Sequence, residues 1–74
     1  MRYRGLRFFF FSNERNEPPH VHVESGDNYA TFWLDPVELA RSVGFRAAEL
    51  GKIRRIVLEN AGEFTRRWNE HFPS

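Results

Sequence analysis

The chain has 74 residues, of which 28% are charged, and its formal net charge is +1 with histidine neutral. This length predicts a single domain over residues 1–74 with a marginal core, because so small a chain buries only about 60% of its unfolded surface. The absence of cysteine excludes disulfides and thiolate metal sites. A composition of 41% hydrophobic and 16% aromatic residues excludes a disordered chain. No apolar run approaches the ~20 residues of a membrane helix, so we expect a cytoplasmic protein without membrane contact.

The first half of the chain has the pattern of a β-meander. Residues 5–12 are rich in phenylalanine and predict a strand, and the polar residues 13–19, which end in two prolines, predict a loop. Strict alternation over residues 20–24 predicts a second strand, and residues 29–34 predict a third. The short turn between these two strands favours antiparallel pairing.

The second half predicts a helical layer. Residues 37–45 fit either a short helix capped by Asp35 or an extended edge segment, and we favour the edge segment. From residue 47 to residue 72, apolar residues recur at three- and four-residue steps, as in an amphipathic helix, with a kink or break expected at residues 60–62. The predicted fold is therefore α+β: a three- to four-stranded antiparallel meander with one kinked or two consecutive C-terminal helices on one face. The apolar stripe consists of Leu50, Ile53, Val57, Ala61, Phe64, Trp68 and Phe72.

Side-chain alternation predicts which residues the helical layer cannot cover. Val21 and Val23 share one side of their strand, which we expect to face the helix, and His20 and His22 share the other. The second sheet face is then either exposed or covered by a partner, because one helical layer covers only one face. Its expected members are Arg7, Phe9, Phe11, His20, His22, Glu24, Tyr29, Thr31 and Trp33.

Four stretches of the sequence resemble one family of small bacterial proteins. They are FFFFSNERNEPPHVHVE (8–24), ATFWLDPVELARSVGF (30–45), AAELGKIRRIVLEN (47–60) and RWNEHF (67–72). The chain resembles the domain of unknown function 4160 family over nearly its whole length. The resemblance implies a bacterial protein encoded beside another small protein, an arrangement similar to a toxin–antitoxin pair. One departure is Arg46, where similar sequences usually have a serine that could form a capping box with Glu49.

The two strand histidines are the leading candidates for chemistry. Alternate strand residues lie about 7 Å apart at Cα, so His20 and His22 could act as base and acid on a ribose phosphate, with Arg7 or Arg15 stabilising the anionic intermediate. A metal-independent ribonuclease of this kind would suit a toxin. Alternatively, both histidines are half-buried structural residues or part of a dimer interface.

Metal binding is a further alternative for the same strand. His20, His22 and Glu24 form a His-x-His-x-Glu pattern, and alternate positions can converge on one ion. The remaining histidine, His71, lies in the predicted helix. We favour no metal and expect no cofactor.

The aromatic residues of the second face are candidates for binding. Phe9, Phe11, Tyr29 and Trp33 could stack bases, with Arg54 and Arg55 of the helix contacting phosphates, or they could be buried against another protein. The working function is a component of a toxin–antitoxin-like module that binds or cleaves RNA through this face. The rival function is a non-enzymatic interaction domain, whose partner is a cognate protein encoded nearby or a second copy of the chain.

Overall fold

Among the residues that the structure describes, five strands follow one another as an antiparallel meander, and one helix comes after them. The computed structural model describes residues 1–11 and 16–72. The sheet has the strand order β1-β2-β3-β4-β5. The α+β class is confirmed, but the sheet has five strands rather than three or four. The elements are β1 (Arg2–Tyr3), β2 (Leu6–Phe9), β3 (His20–Ser25), β4 (Asn28–Leu34), β5 (Val37–Val43) and α1 (Ala47–His71).

The first strand is the one that sequence reasoning missed. It has two residues, and Tyr3 pairs with Leu6 across a two-residue turn. Both turn residues have positive φ, 49° at Arg4 and 83° at Gly5, as a type I′ hairpin turn requires. Arginine at the first turn position is not a usual signal for this turn, and for that reason the hairpin was not expected.

The expected strands and turn of the central hairpin are confirmed with small changes at their ends. The β3–β4 hairpin turns at Gly26, whose φ of 59° suits the first central position of a two-residue turn. Strand β2 is shorter than the expected residues 5–12, and of the expected loop 13–19 only residues 16–19 lie within the described range. The segment after Pro36 is extended, so the edge-strand prediction is confirmed and the alternative of a short helix is wrong.

The core lies between one face of the sheet and α1. Val21 and Val23 are completely buried on this side, which confirms the predicted strand parity. Ile53 and Val57 of α1 pack on the sheet together with Phe64, and they belong to the predicted apolar stripe. The helix is continuous from residue 47 to residue 71, so of the two alternatives, one kinked helix or two consecutive helices, the break at residues 60–62 is wrong. No helix in residues 1–11 and 16–72 has the length and apolar character to cross a bilayer.

The start of α1 shows the effect of the unusual residue at its cap. Arg46 has the extended backbone of an N-cap residue, with φ −80° and ψ 159°. Glu49 accepts a hydrogen bond of 2.8 Å from the backbone N–H of Arg46. The reciprocal bond needs an acceptor on the cap side chain, and a guanidinium has only donors. The helix therefore begins with half of a capping box.

Restoring the missing acceptor should stabilise the protein. Because a capping serine accepts a bond from the N–H two or three residues on, we expect Arg46→Ser to raise the free energy of unfolding by about 0.5–1 kcal/mol, or Tm by roughly 4 °C. Thermal unfolding followed by circular dichroism measures the change, with Arg46→Ala as the control that removes the arginine without adding a cap. Equal Tm values for the serine and alanine variants would show that the cap is not a weak point.

Candidate functional site

The sheet surface opposite α1 carries both strand histidines, and we call it the histidine face. Cross-strand partners share a face, and the register places Phe9, His22 and Thr31 in one row, with Arg7, Glu24 and Tyr29 in the next. The ring of Phe11, just beyond β2, lies 4.5 Å from that of His22. The face comprises Arg2, Arg7, Phe9, Phe11, His20, His22, Glu24, Tyr29, Thr31, Trp33, Glu38, Arg41 and Val43.

Both imidazoles are buried within their own chain. His20 is 2% exposed and His22 is 4% exposed, which differs from the expected open or partner-covered face. Large rings on neighbouring strands close over them: Phe9, Phe11 and Tyr29 contact His22, while Trp33 contacts His20. The two imidazole centroids are 5.1 Å apart, in an edge-to-face arrangement. The rings are thus closer than the expected Cα spacing of about 7 Å, but they lie beneath the surface.

His22 belongs to a small network of polar groups. Its Nδ1 lies 2.5 Å from the hydroxyl of Tyr29 and 3.2 Å from Oγ1 of Thr31. The Thr31 hydroxyl donates to the Tyr29 hydroxyl at 2.9 Å. One proton order that satisfies these distances has Thr31 donating to Tyr29 and Tyr29 donating to Nδ1 of His22. Since a buried polar group without a partner is costly, this network explains how an imidazole is tolerated here.

His20 lies where the two layers meet. Its Nδ1–H donates to the carbonyl of Pro18 at 2.8 Å, since a carbonyl can only accept. Its ring also contacts Trp68 of α1, with centroids 4.9 Å apart. The prediction that the histidine rings turn away from the helical layer is therefore confirmed for His22. His20, at the start of β3, also packs against the end of the helical stripe.

The aromatic rings of the histidine face stack on one another. His22 is nearly parallel to Phe9 on one side, at 24° and 5.4 Å, and to Tyr29 on the other, at 25° and 5.8 Å. The guanidinium of Arg7 lies 4.4 Å from the centroid of Phe9. The flat surfaces of Phe9 and His22 are therefore occupied by other groups of the chain.

Arg7, one of the two arginines proposed to assist the histidines, is not placed beside them as a free cation. Arg7 forms an ion pair of 2.5 Å with Glu24, its cross-strand partner one row away from His22. Arg15 lies outside the described residues. The same ion pair takes Glu24 away from the alternative metal set, and no three potential metal ligands converge anywhere within residues 1–11 and 16–72.

Arg41 is a cation of the histidine face that sequence reasoning missed. Simple alternation from Val37 would place Arg41 on the core side. A β-bulge changes this: Phe32 pairs with Leu39 but Thr31 pairs with Arg41, so Ala40 is an extra residue. Arg41 therefore shares the face of Thr31. No residue type in this segment is a signal for a bulge, so the sequence pattern could not place Arg41 on the histidine face.

The cations of α1 lie on the other side of the molecule. Arg54 and Arg55 are exposed on the helix, which packs on the core side of the sheet, so they do not extend the histidine face. Nearer the end of the helix, Glu63 pairs with Arg66 at 2.6 Å and Arg67 at 2.9 Å. Hydrogen bonds from these two guanidinium groups lower the pKa of the Glu63 carboxyl. The expected pattern of local ion pairs on a solvated face is confirmed here.

Two surface cavities lie among the described residues, and neither is lined by the imidazoles. One, of about 490 Å³, is lined by Phe10, Phe64 and Arg67 with their neighbours. Another, of about 450 Å³, lies at the opposite end of the helix beside Phe45 and Lys52. Neither His20 nor His22 lines either cavity. Neither cavity is therefore a catalytic cleft that contains the histidine pair.

Comparison with known proteins assigns the chain to a family. The model of the domain of unknown function DUF4160 matches residues 5–69, a range that contains all five residues of the alternating segment 20–24 and most of α1. No curated protein and no solved structure matches the chain. The matched range covers nearly the whole sequence, and the chain therefore belongs to the DUF4160 family, as the resemblance of its motifs implies.

Proposed function

We propose that this protein is a non-enzymatic interaction module, one member of a toxin–antitoxin-like pair, and that its histidine face binds the small protein encoded beside it. The observation that carries this proposal is the burial of His20 and His22 beneath aromatic rings of their own chain. In this role the imidazoles hold the face in shape, and the groups above and around them make contact with the partner.

The burial of the histidines argues against acid–base catalysis. A general base must come within hydrogen-bond distance of the proton that it removes, about 2.6–3.2 Å, directly or through one water. Nδ1 of His22 is engaged with Tyr29 and Thr31, and Nδ1 of His20 with the Pro18 carbonyl. With side chains at most 4% exposed, neither ring is presented to a ribose phosphate.

The ring geometry argues against RNA as the occupant of this face. A base that stacks on an aromatic residue needs the free flat surface of a ring. Phe9 lies between Arg7 and His22, and His22 lies between Phe9 and Tyr29. The face is also not strongly basic: it carries three arginines and two glutamates, and Glu24 pairs with Arg7.

The exposed groups of the face suit a protein partner. Phe11 is 47% exposed and Val43 is 52% exposed, so apolar surface lies at both sides of the aromatic stack. Arg7, Glu24 and Arg41 provide charged groups beside it. An apolar centre with a polar rim, enriched in aromatic residues and arginine, is the usual composition of a protein–protein interface, and exposed apolar patches commonly mark such sites.

A matched pair of surface variants tests the proposal. Phe11 on the histidine face and Leu58 on the outer side of α1 are 47% and 48% exposed, respectively. We expect Phe11→Ser to weaken binding of the neighbouring protein by about tenfold or more, as for a well-packed aromatic contact worth at least 1.4 kcal/mol, while Leu58→Ser stays within twofold of the wild type. The two proteins are co-expressed, separated and purified individually. Titration calorimetry then measures the dissociation constant of the pair.

Three results would contradict this proposal. The first is equal weakening by Phe11→Ser and Leu58→Ser, since the histidine face would then have no special role. The second is cleavage of RNA by the purified wild-type chain that is lost in a folded His22→Asn variant, since this result would restore the acid–base hypothesis. The third is binding of single-stranded RNA in place of the protein, weakened by Phe11→Ser, which would make RNA the ligand of the face.

A further inference from the structure

Strand β5 forms one edge of the sheet, and no strand in the described part of the chain pairs with its outer side. The order β1-β2-β3-β4-β5 gives it a single neighbour, β4, among the described strands. Apart from Val37, every residue of β5 is exposed, and its apolar residues include Leu39, 43% exposed, and Val43, 52% exposed. An edge strand with exposed apolar residues is a template for another strand.

The β-bulge gives this edge strand an unusual arrangement of charges. In a regular strand, residues three positions apart point to opposite faces. Because Ala40 is the extra residue, Glu38, the partner of Trp33, and Arg41, the partner of Thr31, both lie on the histidine face. Within the described part of the chain, neither Glu38 nor Arg41 forms an ion pair.

This arrangement makes β5 complementary to itself. If two β5 strands run antiparallel about a two-fold axis between Leu39 and Ala40, Glu38 of each copy lies opposite Arg41 of the other. In this register, opposed residues of the two copies also lie on the same side of the joined sheet. Glu38 and Arg41 both belong to the histidine face, and the opposed pair Val37 and Ser42 lies on the core side. Opposite charges placed directly across an antiparallel pair are stabilising.

We propose that β5 is a self-association edge, through which two copies of the chain join their sheets with two symmetric Glu38–Arg41 ion pairs. The two-fold axis is perpendicular to the sheet, so both α1 helices lie on one side and both histidine faces on the other. The joined sheet has twice the five strands of one copy. This assembly is independent of the partner proposed above for the histidine face, because it is formed by the edge of the sheet rather than by its surface.

A charge-swap series tests the pairing. Sedimentation equilibrium of the purified chain, at concentrations from 10 µM to 1 mM, about the span in which small interfaces associate, is expected to give a mass that rises from 8.8 kDa towards twice that value. We expect Glu38→Arg and Arg41→Glu, each alone, to weaken the association at least tenfold because each places like charges together. The double variant E38R/R41E restores opposite charges and should return to within threefold of the wild type. Arg54→Glu, on the exposed side of α1, makes the same charge change as Arg41→Glu and should leave the association unchanged.

Three results would overturn this inference. A wild-type chain that keeps the monomer mass at 1 mM, about the upper limit for specific association, would do so, as would single variants that dimerise like the wild type. A double variant that remains as weak as the single variants would show that these residues do not face each other. The assay contains no partner protein, so its outcome is separate from that of the Phe11 experiment.

Discussion

Replacing Trp68 with alanine is expected to remove most of the stability of this protein. The indole is 5% exposed, and its ring lies 5.6 Å from Phe10, 4.9 Å from His20 and 4.4 Å from Phe72. Truncation of a buried tryptophan to alanine costs about 3–5 kcal/mol. A 74-residue domain has a total of about 4–11 kcal/mol at 0.05–0.15 kcal/mol per residue. We therefore expect Trp68→Ala to lower Tm by more than about 15 °C, or to unfold the chain.

Urea denaturation followed by circular dichroism measures this loss of stability, and two further variants serve as comparisons. Trp68→Phe keeps an aromatic ring between α1 and the start of β3, so we expect a loss of about 1–2 kcal/mol. Leu58→Ala lies on the exposed side of the same helix and should change stability by less than about 0.5 kcal/mol. If Trp68→Ala were as stable as Leu58→Ala, the end of α1 would not anchor the histidine cluster, and the packing described for His20 would be wrong.

His22→Ala is expected to destabilise the protein by about 2–4 kcal/mol. The substitution removes a ring stacked between Phe9 and Tyr29, and it deprives the Tyr29 hydroxyl of its partner at 2.5 Å. An active-site histidine commonly behaves in the opposite way, because functional groups are often retained at a cost in stability. The sign and size of this change, measured by urea denaturation, therefore distinguish a structural imidazole from a catalytic one.

A double-mutant cycle separates the hydrogen bond from the ring packing. His22→Phe keeps a ring but removes the imidazole partner of the Tyr29 hydroxyl, whereas Tyr29→Phe removes that hydroxyl. We expect the double variant to be less destabilised than the sum of the two single variants by about 1–2 kcal/mol, as for residues in one network. Additive changes, or a His22→Ala variant as stable as the wild type, would show that the network contributes nothing to the fold.

The sequence pattern was sufficient for the parts of the fold that depend on periodicity. Alternation placed Val21 and Val23 on the core side, and the helical stripe identified Ile53 and Val57 as buried. These features are local repeats whose physical cause, the segregation of apolar side chains, is visible in the order of residues. The same alternation correctly placed most residues of the histidine face on one side of the sheet.

The sequence could not predict features that depend on backbone irregularity or distant packing. The extra residue Ala40 moves Arg41 to the histidine face, and the turn at Arg4 and Gly5 adds a strand. The contact between His20 and Trp68 joins residues far apart in the chain. Burial of the imidazoles depends on the positions of large rings from β2, the residues just after it, β4 and α1, and alternation alone does not give this information.

The accessibility of the three histidines tests the central claim most directly. Diethylpyrocarbonate acylates a ring nitrogen of an accessible neutral imidazole, and mass spectrometry of the digested protein gives the rate at each site. His71 is exposed near the end of α1 and is the internal reference, whereas His20 and His22 are 2% and 4% exposed. We expect both to react at least about tenfold more slowly than His71 in the folded protein, as the open state is rare, and at similar rates in urea. Rates for His20 and His22 equal to that of His71 in the native chain would contradict the account.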